Sequence, residues 1–318
     1  MPKVSILVPV YGVEKYIDRC ARSLSEQTLD DIEFIFVDDC TPDKSIEVLN
    51  RVLEEYPNRK SQVKILRHDK NQGLPIARQT GLKIASGEFI IHCDSDDWVD
   101  VTMYEKMYNK AIEEGSDVVV CDYVVTDGET IKKSVKGCGD TDVSNIIQRM
   151  LFQRDPWSLW NKLFKRSVCY KDLIYPEVNM GEDMALCIQM MLHCKRISYI
   201  SGLYYNYFFN TNSITNKRDA DRLIHNFEQL KCNTDLLLSA LDNAALANKK
   251  WAINALQYNA KNNLINLIHR DKKYYCLWMN TYKGSNWLFL INPFIKLEKR
   301  LKCLLAIVKL YPRKRDRI

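Results

Sequence analysis

Asp94, Asp96 and Asp97 follow directly on the apolar run Phe89-Ile90-Ile91, inside the string His92-Cys93-Asp94-Ser95-Asp96-Asp97-Trp98. A short β-rich run that ends in clustered acids puts those acids at the carboxyl end of a strand, where open α/β sheets bind ligands. Residues two apart on extended backbone point the same way, so Asp94 and Asp96 form a pair while Asp97 is free to turn elsewhere. Such a pair suits a hard divalent cation. Mg2+ is typically held by one or two carboxylates plus substrate phosphates, and Mn2+ takes similar oxygen ligands. A solvated acidic turn or a helix start can carry the same string, so the rest of the chain has to decide.

Two further acid pairs stand at element ends. Asp38-Asp39 closes the apolar run Ile32 to Val37, and Glu182-Asp183 opens the apolar stretch Met184 to Leu192. Acids at the start of a helix also serve as plain dipole caps, worth roughly 0.3–1 kcal/mol. Arg78, on a helix between these pairs, is long enough to reach a phosphate or a base, with a surface ion pair as the plainer use.

The elements that must position these groups read as alternating strands and helices. Lys3 to Tyr11 is a buried strand, and Glu14 to Gln27 a helix with Tyr16, Ile17, Cys20 and Leu24 inward. Ile32 to Val37 is the second strand, and Ser45 to Tyr56 a helix entered through the turn Cys40-Thr41-Pro42-Asp43. Val63 to Arg67, Leu74 to Ala85, Met103 to Glu114 and Val118 to Cys121 continue the pattern as strand, helix, helix and strand. Right-handed crossovers put the ends of the first strands on one rim. From Arg218 on, Leu223, Phe227, Leu230, Leu237, Leu241 and Ala244 share a helical face, and a second helix runs from about Trp251 to His269.

A chain of 318 residues that is 46% hydrophobic can bury a full core. No charged segment followed by an apolar stretch opens the sequence as a secretory signal does, and eleven cysteines without a C-x-x-C pair suggest reduced, buried thiols. Both features predict a cytoplasmic protein. The net charge of +6 sits in the tail: nine Lys/Arg face Glu298 and Asp316 from Lys296 onward, leaving 37 basic against 38 acidic residues elsewhere. A body so balanced gives no nucleic-acid groove. Tyr11-Gly12-Val13-Glu14-Lys15 supplies one glycine, so neither a dinucleotide-binding fingerprint nor a P-loop fits, and a sugar-1-phosphate nucleotidyltransferase lacks its glycine-rich turn.

Read in order, Val4-Ser5-Ile6-Leu7-Val8-Pro9-Val10-Tyr11, Val37-Asp38-Asp39, Asn71-Gln72-Gly73 with Ala77-Arg78, Ser86-Gly87-Glu88-Phe89-Ile90 and Asp94-Ser95-Asp96-Asp97 resemble the signature of family 2 glycosyltransferases. Pro156-Trp157-Ser158-Leu159-Trp160-Asn161-Lys162-Leu163-Phe164 and Asn179-Met180-Gly181-Glu182-Asp183 extend the likeness into the second half. The departures are Cys40-Thr41-Pro42-Asp43, where Gly-Ser-Thr-Asp is usual, and Gln79, where Asn is common. The resemblance implies a GT-A type, Rossmann-like α/β fold, a mixed sheet flanked by helices, with a C-terminal helical extension.

It also implies a nucleotide-sugar donor, expected to be UDP-linked, a divalent cation, Mn2+ or Mg2+, and inversion at the anomeric carbon. On that reading Asp38 or Asp39 accepts the imide N–H of uracil, which cytosine lacks. Pro9 and Tyr11 line the nucleoside slot, and Asn71, Arg78, Asp94 and Ser95 complete the donor site. Asp96 binds the metal, with Asp94 and Asp97 beside it. Asp183 is the general base and Glu182 orients it or meets the acceptor.

The expected organisation is a catalytic domain over 1–215, its nucleotide-sugar half about 1–100 and its acceptor half about 101–215. A helical extension over 216–290 and a basic amphipathic tail over 291–318 follow. In that tail Phe294, Leu297, Leu301, Leu304, Leu305 and Val308 fall on one helical face, while Lys296, Lys299, Arg300 and Lys302 lie largely away from it, and Arg313-Lys314-Arg315 follows Pro312. The longest apolar run there is far short of the roughly 20 residues a spanning helix needs, so an in-plane helix on the inner face of the cytoplasmic membrane is expected. The acceptor expected is a surface-polysaccharide or lipid-linked glycan. A sugar-nucleotide or glycan-binding scaffold without activity is the alternative, and intact Asp96 and Asp183 speak against it.

Overall fold

Uninterrupted apolar runs make the first strands. β1 (Val4–Val10) and β2 (Ile32–Asp38) are buried along their whole length, as parallel strands covered on both faces must be. Helices α1 (Ile17–Ser25) and α2 (Ser45–Glu55) follow them, then β3 (Val63–Arg67), α3 (Leu74–Ile84) and β4 (Phe89–His92). The chain continues through β5 (Trp98–Val99), α4 (Met103–Glu114), the hairpin β6 (Val118–Thr126) and β7 (Ile131–Val135), and α5 (Val143–Leu151). Next come β8 (Lys162–Lys165), the single turn α6 (Arg166–Cys169), α7 (Glu182–Leu192) and β9 (Ile197–Phe208). This computed structural model describes residues 1–137, 139–209 and 219–309.

The strands form one mixed sheet in the order β3-β2-β1-β4-β8-β6-β9-β5, with β7 paired to β6. β1 to β4 are mutually parallel; β8 runs antiparallel to both β4 and β6, while β9 lies parallel to β6. The α/β class with a mixed, helix-flanked sheet is thus as expected. Alternation along the strands divides the core. Val4, Ile6, Val8 and Val10 pack with Phe34, Phe36, Ile91 and residues of α1, α2 and α4 on one face. On the other, Gly81 of α3 comes close to Leu7, Ile35 and Val37. Glu33 fixes the turn before β4: it accepts from Ser5 Oγ and from the Ser86 and Gly87 N–H groups and pairs with Lys64.

β9 carries no clean alternation in the sequence, and the register explains why. Its pairing with β6 shifts on either side of Asp122, which lies opposite Leu203, and Gly202, with φ +145°, falls in the skipped stretch before it. A bulge there flips the inward set, which hides the strand from a period-2 reading.

Backbone contacts divide the chain into Met1–Val143 with Trp157–Asn210, which holds the sheet, and Ser144–Pro156 with Thr211–Ile318. The second unit comprises all of α5 but its first residue, with α8 (Ala220–Leu241), α9 (Lys249–Asn262), α10 (Lys272–Asn280), α11 (Ser285–Ile291) and α12 (Leu297–Ile307). Residues 144–156, grouped with the acceptor half by the sequence, therefore belong with the helices. There Phe152 stacks on Phe294 at 5.1 Å, and Arg154 Nη2 donates to the Phe294 carbonyl at 2.9 Å.

The tail helix also differs from its sequence reading. α12 begins at Leu297, so Phe294 lies outside it, and Cys303, Ala306 and Ile307 are the residues it packs inward. Leu297, Leu301, Leu304 and Val308 stay exposed. Pro312 and the run Arg313-Lys314-Arg315 lie outside the described residues. No helix among the described residues is long and apolar enough to cross a membrane. Ten cysteines, Cys138 being outside the description, are free thiols, seven of them buried.

Candidate active site

The carboxyl ends of β1, β2 and β4 meet on one rim. Tyr11, just past β1, is 49% exposed and open to a stacking partner, whereas Pro9 is buried within the strand beside Val37. At the end of β2, Asp39 gives both oxygens to the loop that follows β3: Oδ1 accepts from His68 Nδ1 at 2.7 Å and Gln72 N–H at 2.8 Å, and Oδ2 from Gly73 N–H at 2.8 Å. Asp38 accepts from Thr41 N–H at 2.8 Å through Oδ1, and its Oδ2 faces Arg67 Nε at 3.4 Å. Asn71 is exposed, with its Oδ1 on Gly73 N–H at 3.0 Å.

Cys40 has φ +55°, the left-handed region that glycine occupies without cost. This turn therefore keeps the geometry a glycine there would serve, with some backbone strain. Asp43 then ties the loop after β1 to the start of α2, accepting from Glu14 N–H at 2.9 Å, Thr41 Oγ1 at 2.7 Å and Ser45 N–H at 3.1 Å.

Arg78 joins the two halves of the site. Buried on α3, it donates from Nη2 to Asp94 Oδ1 at 2.9 Å and from Nε to Glu182 Oε1 at 3.0 Å. Burial works against its charge, but Glu182 and Asp94 outweigh that and hold its pKa above the ordinary value. Arg78 Nη1 and Glu182 Oε2 are buried with no hydrogen-bond partner among the described residues. Burial pushes the Glu182 carboxyl up to about 7 in spite of Arg78. A second tie runs alongside: Leu74 N–H, at the start of α3, donates to Asn179 Oδ1 at 3.0 Å. Gly73, at φ +90°, leaves room for that contact, since a Cβ there would lie 2.8 Å from Asn179 Oδ1.

The acidic loop after β4 turns its members different ways. Asp94 and Asp96 are half-buried; Ser95 and Asp97 are buried. Asp97 Oδ1 accepts from Phe208 N–H and Oδ2 from the Tyr205 hydroxyl, both at 2.6 Å. The same hydroxyl accepts Asp94 N–H at 3.1 Å. Asp97, grouped with the metal ligands in the sequence, thus has both oxygens spent inward and anchors the loop to β9. Arg19 lies over the Trp98 ring at 3.4 Å and donates to the Asp96 carbonyl at 3.4 Å.

Asp96 is the carboxylate left over. No side chain among the described residues ion-pairs with it, and burial together with the charge of Asp94 pushes its carboxyl up to about 6. Among the described residues no group of three or more His, Cys, Asp or Glu is arranged to hold a metal alone. Uncompensated negative charge beside a second carboxylate fits a divalent cation whose remaining ligands are phosphate oxygens. At the start of α7, Asp183 Oδ1 accepts Met184 N–H at 2.8 Å, and burial raises its pKa. His92, left unassigned by the sequence, is buried and pushed well below its ordinary pKa by burial and by Arg78.

The supports that sequence reasoning missed are Tyr205, Asn179 and Arg19. Asn179 stands three residues before Glu182, inside a motif the sequence singles out, and Tyr205 lies on the strand it did not read.

Comparison with known proteins fits this arrangement. A family model described as glycosyl transferase family 2 matches residues 5–174. EpsH of Bacillus subtilis, which carries a glycosyltransferase designation, is 33% identical over 229 residues, 68% of this chain and 63% of its own length. A poly(ribitol-phosphate) beta-glucosyltransferase of Bacillus spizizenii is 31% identical over 226 residues, 70% of this chain and 33% of its own. The chain therefore spans less than two thirds of these relatives. Among solved structures, Staphylococcus aureus TarS 1–349 in complex with UDP-GlcNAc superposes with TM-score 0.74 at 22% identity, covering 97% of this chain and 88% of that one. The mannosyltransferase PcManGT from Pyrobaculum calidifontis, in complex with GDP-Man and Mn2+, gives TM-score 0.56 at 14% identity, over 97% of this chain and 87% of that one. The fold is thus the GT-A fold.

Proposed function

Because this chain belongs to glycosyltransferase family 2, we propose that it moves a sugar from a nucleoside diphosphate donor, UDP-linked, to a hydroxyl of a surface-polysaccharide or lipid-linked glycan, with inversion. The observation that carries this reading is Arg78, whose guanidinium holds Asp94 and Glu182 at 2.9 and 3.0 Å. It brings a donor-side acid and an acceptor-side acid, 88 positions apart in sequence, within one side chain's reach. The UDP-GlcNAc complex of TarS supports the UDP donor, and the poly(ribitol-phosphate) transferase supports a polymeric acceptor.

Asp183 takes the proton from the acceptor hydroxyl while that oxygen bonds to the anomeric carbon and the bond to the diphosphate breaks. Burial makes it a stronger base than an ordinary Asp, and Met184 N–H fixes its orientation. Glu182, held by Arg78 through Oε1, keeps Oε2 for an acceptor hydroxyl. Asp39 is committed to three donors, so Asp38 is the better acceptor for the uracil imide, with Tyr11 stacking on the base and Asn71 and Ser95 completing the slot. Asp96, with Asp94 beside it, would hold a Mn2+ or Mg2+ ion, which would supply charge compensation for the departing diphosphate. A thermal-shift screen of the full chain over UDP- and GDP-sugars with Mn2+ tests the donor. A raised midpoint with UDP-linked donors is expected, and no shift with any nucleotide sugar overturns the reading.

The acceptor's setting suggests a place for the chain as well. Leu297, Leu301 and Leu304 of α12, with Val308 just past its end, line one exposed stripe, and residues 272–309 carry eight Lys/Arg against the single acid Glu298. An apolar stripe with a basic surround would complement an anionic leaflet, and on that ground we propose that the chain works as a peripheral protein at the cytoplasmic face of the membrane.

A further inference from the structure

Tyr205 and Tyr207 stand two apart on β9 and so project to the same side of the strand. Trp160 lies nearly parallel to both, with ring centroids 4.2 Å from Tyr205 at 15° and 5.7 Å from Tyr207 at 20°. Tyr123 meets Trp160 edge-on at 4.6 Å. The group is buried at one end and open at the other: Tyr205 is 0% exposed, Trp160 8% and Tyr207 36%. The buried end is tied to the acidic loop, because the Tyr205 hydroxyl donates to Asp97 and accepts from Asp94 N–H. At the open end, burial and then the charges of Asp97, Asp94, Asp96 and Asp183 push the Tyr207 phenol well above its ordinary pKa. Its hydroxyl therefore sits within the field of both the donor-side acids and the acceptor-side base, and stays a proton donor at neutral pH.

That location has a chemical meaning under the transfer reaction, on which this inference rests. The base must stand about 2.6–3.2 Å from the acceptor oxygen, and that attacking oxygen about 3–3.5 Å from the anomeric carbon. A half-exposed ring two residues along the same strand face from Tyr205, whose hydroxyl holds the acidic loop, is placed to reach the sugar being transferred. Pockets for such ligands are lined by aromatic faces with a few placed polar groups, and a tyrosine offers one of each.

We propose that Tyr207 contacts the transferred sugar, its ring packing on the sugar's C–H face and its hydroxyl donating to a sugar oxygen, and that it thereby sets which sugar is accepted. It is a specificity-determining residue, distinct from the nucleotide contacts on β1 and β2.

The test compares donor and leaving group in the full chain with Mn2+. Kd for UDP and kcat/KM for release of UDP from UDP-glucose, UDP-galactose and UDP-GlcNAc are measured for wild type, Tyr207→Phe and Tyr207→Ala. The expected result is UDP affinity unchanged within about twofold in both variants. Against the preferred UDP-sugar, kcat/KM falls roughly tenfold in Tyr207→Phe and more in Tyr207→Ala, and the preference among sugars narrows in Tyr207→Ala. Losses of this size match a lost hydrogen bond of about 1–2 kcal/mol and the additional loss of a contact face. Tyr207→Phe keeps the ring stack, so it remains informative if Tyr207→Ala unfolds. Unchanged kcat/KM and unchanged ranking overturn the inference while leaving the transfer reaction standing. An equal loss for UDP and UDP-sugars overturns it too, by showing that the ring only supports the acidic loop. A wild type that binds no UDP or UDP-sugar removes the UDP donor reading and the inference together.

Discussion

Two carboxylates of the site, Asp96 and Glu182, and one that fixes a turn, Glu33, take their protonation from what surrounds them. Asp96 lacks an ion-pair partner among the described residues and is pushed up to about 6, Glu182 is buried and reaches about 7, and Glu33, gripped by Lys64, Ser5 and Ser86 against the effect of burial, is lowered to about 2. Folding binds protons at the first two, so their contribution to stability is present below about pH 4 and is lost as pH rises through 6 to 7. Glu33 has the opposite sign: its contribution is present above about 4.5 and is lost as pH falls toward 2. The ligand-free protein should therefore be most stable near pH 4, with the thermal midpoint declining both toward pH 8 and toward pH 2. A midpoint that climbs steadily from pH 5 to 8 would contradict the raised carboxyls. Transfer should run the other way over the same range, because Asp183 works only as the carboxylate.

At the scale of elements, β9 is what makes the acidic loop a site. It supplies the Tyr205 hydroxyl and the Phe208 N–H that hold Asp97, and so fixes the loop that carries Asp96. Tyr205→Phe removes one donor to a buried carboxylate, which costs about 1–3 kcal/mol. In that variant we expect a lower urea midpoint and a raised KM for the donor, with Tyr11 stacking and Asp38 contacts intact. Unchanged stability and KM would mean that the Phe208 N–H alone anchors the loop. Much of this was legible in the sequence: β1 to β4 declared themselves by apolar runs, Asp94, Asp96, Glu182 and Asp183 drew notice by their places at element ends, and Arg78 by its place on the helix between the acid pairs. β9 was not, because the bulge opposite Asp122 breaks its alternation, and the inward turn of Asp97 depends on a partner 108 residues away. α12 was read as amphipathic with the wrong seam: both a packed face of Cys303, Ala306 and Ile307 and an exposed apolar stripe exist, and hydrophobicity alone does not tell them apart.

Over the whole molecule, the sheet unit carries the acids and the helical unit carries the positive charge. Each basic side chain near an anionic leaflet can contribute about 1 kcal/mol, so several acting together can hold the chain at a membrane without a spanning helix. Deleting residues 296–318 and comparing sedimentation with neutral and anionic vesicles tests this. Salt-sensitive binding to anionic vesicles by the full chain, lost on truncation, is expected; equal binding by both proteins would contradict it. Asp183, next in the chain to the Glu182 that Arg78 ties to Asp94, is proposed as the base of the sugar transfer. That role is tested most directly by measuring UDP release from the preferred UDP-sugar, with Mn2+, together with donor Kd, in wild type and Asp183→Asn. The account predicts an unchanged donor Kd and a rate lowered by roughly 10²–10⁴, the range of a positioned base. A variant that turns over at the wild-type rate, or one that loses donor affinity with turnover unchanged, would contradict it.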